Sequence, residues 1–101
     1  MIHHIVLFQL NKELAADKRQ EAMTNFKKGI EALPETIDCI VSVTVGFNLN
    51  PDEQWDLCLS GEFKTLEDVR SYSQHPAHVA VASRLKPFLS GRSCVDYETK
   101  D

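Results

Sequence analysis

The chain has 101 residues, with 11 Lys+Arg against 15 Asp+Glu, a formal net charge of −4 at pH 7 with its four histidines neutral. Hydrophobic residues make up 43% and charged residues 26%, the mix expected of one globular domain spanning 1–101 and not of a disordered chain. A mildly acidic chain lacks the positive stripe that nucleic acid or an anionic membrane surface requires, so neither is an expected partner.

No apolar run approaches the roughly 18–20 residues of a membrane span. The opening MIHHIVLFQL has neither the basic segment nor the cleavage site of a signal peptide. Cys39, Cys58 and Cys94 are odd in number, far apart and outside any CxxC. That pattern predicts reduced thiols in a cytoplasmic protein, packed as small core hydrophobes.

Residues 2–10 are apolar almost throughout and rich in β-branched and aromatic side chains, which predicts a strand. Its two faces are His4, Val6, Phe8, Leu10 and His3, Ile5, Leu7, Gln9, and both carry large apolar groups. Residues 13–33 have helical spacing, with Ala22/Met23, Phe26, Ile30 and Leu33 on one stripe. Lys18, Arg19, Lys27, Lys28 and Glu31 fall mostly off it, as a solvated face would, and Pro34 stops the helix. Residues 38–47 read as a second strand with Cys39, Val41, Val43, Val45 and Phe47 on one face.

Residues 48–52 are a loop by composition. In the strand predicted over 54–63, Trp55, Leu57, Leu59 and Phe63 share one face. Thr65-Leu66-Glu67-Asp68 resembles a capping box and starts a short helix with Leu66, Val69 and Tyr72 on one stripe. Pro76 suits the first position of a further helix, whose inward stripe is His78, Val81/Ala82 and Leu85. Pro87 ends it, Gly91 is placed to supply a left-handed cap, and residues 92–98 form the last strand.

The order β-α-β-β-α(α)-β predicts an α+β, ferredoxin-like fold: an antiparallel sheet with helices on one face. One helical layer leaves the other sheet face bare, although the first strand is apolar there. A second copy of the chain, forming a homodimer, is the expected cover.

Four histidines are the main source of candidate chemistry. His3 and His4 are neighbours in a strand and point to opposite faces, so they cannot share a ligand site. A zinc site from His4, His75 and His78 has no carboxylate or cysteine evidently placed to complete it, so no metal is expected. Tyr72 and His78 are polar residues on inward stripes, joined by the tight Ser73-Gln74-His75-Pro76 turn. A first-turn histidine is kept neutral by the positive end of its helix. A neutral imidazole beside a phenol has the parts of a general base and a carbonyl-polarising donor. The competing reading is a structural clasp, in which the histidines bond the backbone of the turn. There is no G-x-S-x-G and no Gly-rich phosphate loop.

The opening His4-Ile5-Val6-Leu7-Phe8, the strand Asp56-Leu57-Cys58-Leu59, the segment Tyr72-Ser73-Gln74-His75-Pro76-Ala77-His78-Val79 and the closing Asp96-Tyr97 together resemble the stress-responsive dimeric α/β-barrel (Dabb) domain family over essentially the whole chain. The resemblance implies a ferredoxin-like monomer that dimerises sheet on sheet into a barrel. One branch of the family, similar to olivetolic acid cyclase, closes linear polyketides by intramolecular aldol condensation. In that branch a Tyr–His pair acts in a pocket between sheet and helices, and the pair matches Tyr72 and His78. The strand-one histidine of that pocket matches His4. The chain departs from the branch at Leu57, where the cyclase has a histidine, and at Val81 and Leu89, where it has bulkier aromatics.

Two functions follow as expectations. One is a small homodimer that binds a small apolar or aromatic molecule, with cofactor-free acid–base catalysis by His78 and Tyr72. Its pocket would be lined by His4, Val6, Phe8, Leu57, Leu59, His75 and Val81. The other is a non-catalytic structural or stress-response module. Haem, which some barrels of this architecture handle, would need His4, His75 or His78 as axial ligand, and no cofactor is expected.

Overall fold

In the computed structural model, which describes residues 1–100, four strands form one antiparallel sheet in the order β2-β3-β1-β4. They are β1 (Ile2–Leu10), β2 (Ser42–Phe47), β3 (Leu57–Phe63) and β4 (Leu89–Glu98). Three helices, α1 (Ala16–Glu31), α2 (Leu66–Gln74) and α3 (Pro76–Leu85), accompany it. This is the ferredoxin-like arrangement that the element order predicts. Asp101, the last residue of the expected domain, lies outside the described residues.

β1 lies between β3 and β4 and alternates as its sequence requires. His4, Val6, Phe8 and Leu10 are buried on the helix side, while Ile5, Leu7 and Gln9 are half-buried on the other. The core between sheet and helices joins Val6, Phe8 and Leu10 to Met23, Phe26 and Ile30 of α1, Leu57, Leu59 and Phe63 of β3, and Val69, Tyr72 and Leu85 of α2 and α3. Phe8 and Phe26 meet edge to face with centroids 5.1 Å apart, a favourable arrangement of two ring quadrupoles.

Several expectations shift. The first helix starts at Ala16 and not at residue 13. Residues 38–41 form a turn, not the start of β2, and Val41 is 48% exposed; the core there is filled by Ile37 and Ile40 instead. Trp55 does not share the face of Leu57. It precedes β3 and lies against Gly91, 3.6 Å from where a Cβ would stand, on the side of Gln9. Gly91 is no left-handed cap, since no described residue has positive φ; it is a strand residue. Leu66 is exposed, so the buried stripe of α2 is Val69 and Tyr72 alone. Cys39, half-buried, packs against the core as expected, whereas Cys58 is half-buried outside it and Cys94 is exposed.

Part of the charge run on α1 is not a solvated face either. Lys27 Nζ donates to the Val45 carbonyl at 2.6 Å and Glu31 Oε2 accepts from the Val45 N–H at 3.0 Å. Together they occupy the outward N–H and C=O of Val45 in the edge strand β2, groups that would otherwise be free to pair with another chain. Asp56 ties the far end of β1: its carboxylate accepts from the Leu10 N–H at 2.7 Å and pairs with Arg19 at 3.3 Å.

The face away from the helices carries His3, Ile5 and Leu7 of β1 opposite Tyr97, Val95 and Ser93 of β4. Val95 is 55% and Tyr97 47% exposed. No described helix is long and apolar enough to cross a membrane.

Candidate active site

Between the sheet and the helices lies a cavity of about 80 Å³, room for a few water molecules. His4, Val6, Phe8 and Leu59 line it from the sheet, and Tyr72 and His78 from the helices. Leu57 packs outside it in the core, because it stands two residues before Leu59, at the start of β3. Val81 faces a larger hollow of about 540 Å³ between α1 and α3, which holds neither histidine nor tyrosine. His75 is also outside: as the residue before Pro76 it caps α3, its Nδ1 accepting the Ala77 N–H at 3.1 Å.

His78 stands in the first turn of α3. Its Nδ1 lies 3.0 Å from the Ser73 carbonyl oxygen. A carbonyl only accepts, so Nδ1 carries the proton and the neutral ring keeps its lone pair on Nε2. Burial is the main cause that lowers the His78 pKa from its ordinary range. The charges of His4 and Arg92 lower it further, while the bond to Ser73 opposes them.

Tyr72 projects from α2 and is fully buried. Its ring lies 4.5 Å from that of His78, 5.1 Å from Phe63 and 6.0 Å from His4, centroid to centroid. Its hydroxyl has no hydrogen-bond partner. Burial pushes the phenol well above its ordinary pKa, so it stays a donor. A buried hydroxyl without a partner costs about 1–3 kcal/mol, which an incoming acceptor would recover.

His4 is directly opposite Asp96 in the β1–β4 ladder, and its Nδ1 lies 2.5 Å from Asp96 Oδ1. Cys94 Sγ is 3.8 Å from the same nitrogen. Sequence reasoning missed Asp96, Cys94 and Arg92 at this site. The only signal was the alternation of Arg92, Cys94 and Asp96 on one face of the last strand. The register against β1 could not be read from spacing.

Sheet order and helix placement define a ferredoxin-like α+β protein. The chain belongs to the stress responsive A/B barrel domain family, Dabb, whose model matches residues 2–99. No curated protein matches it in sequence. Among solved structures, a dimeric protein of ferredoxin-like fold from Bacteroides fragilis is 43% identical, with 97% of this chain and 95% of that chain covered at a TM-score of 0.95. A dimeric ferredoxin-like protein from Thermobifida fusca is 25% identical over 97% of this chain and 90% of its own, at a TM-score of 0.78. A hydroxynitrile lyase from Passiflora edulis shares the fold at 13% identity and a TM-score of 0.73, over 99% of this chain and 94% of its own.

Proposed function

We propose that this protein is a homodimer that binds a small apolar or aromatic carbonyl compound in the Tyr72–His78 cavity and performs cofactor-free acid–base chemistry on it. The carrying observation is the Tyr72 hydroxyl, fully buried, unpartnered and beside a histidine whose lone pair is free. His78 Nε2 would take a proton from the carbon next to the carbonyl. Tyr72 would donate to the oxygen on which the enolate charge develops. His4, Val6, Phe8 and Leu59 would hold the apolar part of the ligand. An aldol closure of the olivetolic acid cyclase kind is one reaction these roles serve. The hydroxynitrile lyase with this fold is a likeness of fold alone, so the reading rests on the geometry of this chain.

The dimer reading rests on the apolar face of β1 and β4 and on the dimeric state of the relatives from Bacteroides fragilis and Thermobifida fusca. The alternative, a non-catalytic stress module, draws on the turn itself: His75 and His78 each commit one ring nitrogen to nearby backbone. Tyr72 takes no part in that clasp. The two readings separate by exchange of the α-hydrogens of a small aryl ketone in deuterated buffer, followed by NMR. The pocket reading expects the protein to accelerate exchange and Tyr72→Phe and His78→Ala each to abolish the effect. It also expects Tyr72→Phe to leave stability unchanged or raised, since the lost hydroxyl had no partner. No acceleration, together with a loss of roughly 1–3 kcal/mol in both variants, leaves the structural module.

A further inference from the structure

The second cluster of reactive side chains is His4, Cys94 and Asp96. One ligand atom from each lies within 4.8 Å of the others. The cluster is a product of register. His4 faces Asp96 and Val6 faces Cys94 across the β1–β4 ladder, and a Cys-x-Asp spacing puts both β4 side chains on one face of the strand.

A Cys–His–Asp relay is the first thing such a set suggests, and the geometry rules it out. A relay needs the carboxylate on one ring nitrogen and the thiol on the other. Here Asp96 Oδ1, at 2.5 Å, and Cys94 Sγ, at 3.8 Å, both approach Nδ1 of His4. Three donor atoms that converge on one region, and do not run in series, suit chelation.

From this convergence we infer that His4 Nδ1, Cys94 Sγ and an Asp96 oxygen form a three-ligand site for a divalent transition metal, zinc by donor type. Imidazole nitrogen and thiolate sulfur select zinc over magnesium or calcium. Three protein ligands leave the fourth tetrahedral position for water or a small molecule. On binding, Cys94 gives up its proton to solvent and His4 loses its Nδ1 proton to Nε2. The neutral imidazole, thiolate and carboxylate then balance the two charges of the ion. The metal-free protein has no comparable deficit, because the His4–Asp96 hydrogen bond satisfies both groups. Metal is therefore an addition to a folded site. Arg92, two residues before Cys94 on the same face, favours the Cys94 thiolate by its charge and a hydrogen bond.

Cobalt(II) tests this as a spectroscopic stand-in for zinc, using the reduced, metal-free full chain. A thiolate-to-cobalt charge-transfer band is expected at one metal per chain, bleached by added zinc. Cys94→Ser, which leaves Cys39 and Cys58 in place, should remove the band. Asp96→Asn should weaken binding at least tenfold. Zinc should raise the melting temperature of the wild type but not of Cys94→Ser. Cys94 and Asp96 are exposed, so their variants are expected to fold. A band absent at millimolar cobalt, surviving in Cys94→Ser or undiminished in Asp96→Asn overturns the assignment.

Discussion

Gly29 of α1 and Val81 of α3 meet so closely that a Cβ on Gly29 would stand 2.9 Å from Val81 Cγ1 and 3.1 Å from Cγ2. Val81 is β-branched and stiff at χ1, so it cannot swing aside freely. The glycine is there for the approach of the two helices and not for an unusual backbone, since its φ is not positive.

Two effects of known size compete at that contact. Alanine in place of glycine inside a helix gains about 1 kcal/mol. Overpacking against Val81 costs about 1–3 kcal/mol. Gly29→Ala should therefore lower stability, by up to about 2 kcal/mol, in the wild type. In a Val81→Ala background the same change should raise it by about 1 kcal/mol. Urea melts of the four proteins measure the cycle, and equal effects in both backgrounds would sink the contact as an explanation.

The Tyr72–His78 site predicts stability changes at both ends of the pH scale. The folded-state pKa of His78 lies below its ordinary 6.5, so below that pH the unfolded chain takes up the proton first. The stability linked to His78 is present above 6.5 and is lost as pH falls through its lowered value. Tyr72 is the reverse. Its folded pKa lies above the ordinary 10.0, so its contribution is present below pH 10 and lost as pH rises beyond it. Urea melts across pH should show a smaller acid loss for His78→Gln and a smaller alkaline loss for Tyr72→Phe than for the wild type. Parallel curves for wild type and variant would contradict the corresponding shift.

Ile5 and Val95 face each other across β1 and β4 on the side without helices. Covering that side with a second sheet would bury roughly 1,600 Å², a standard interface. Ile5→Asp or Leu7→Asp should yield dissociated, unstable or insoluble chains, because a charge there is desolvated on association. Light scattering checks both ends of the argument; a monomeric wild type at micromolar concentration would exclude the dimer.

Where the sequence is legible, it is so because local periodicity and the tertiary outcome agree. β1, α1, β3 and the Pro76 start of α3 each follow from spacing, and Tyr72 and His78 stand out as polar residues on inward stripes. The misreadings fall where a longer-range contact decides. Trp55 continues the alternation of β3 on paper, but the strand begins two residues later and the indole goes to Gly91 and Gln9. Val41 continues β2 on paper, but Ile37 and Ile40 fill the core through a turn. His75 reads as a pocket residue by proximity to His78, yet its backbone position makes it a cap. Cys94 and Asp96 show only their alternation along β4, since their meeting with His4 depends on the register between β1 and β4.

That register sets a timetable. His4 and Asp96 are 92 positions apart, and β1 occupies the middle of the sheet, between β3 and β4. During synthesis at about 5–20 residues per second, the first strand waits roughly 5–20 s for its last partner. Through that interval IHHIVLFQL offers an unpaired edge and apolar side chains on both faces, the kind of segment that aggregates when left open. The His4 side of the cavity is completed only when β4 arrives, so a chain that stops short of β4 would have most of its core and an unfinished site.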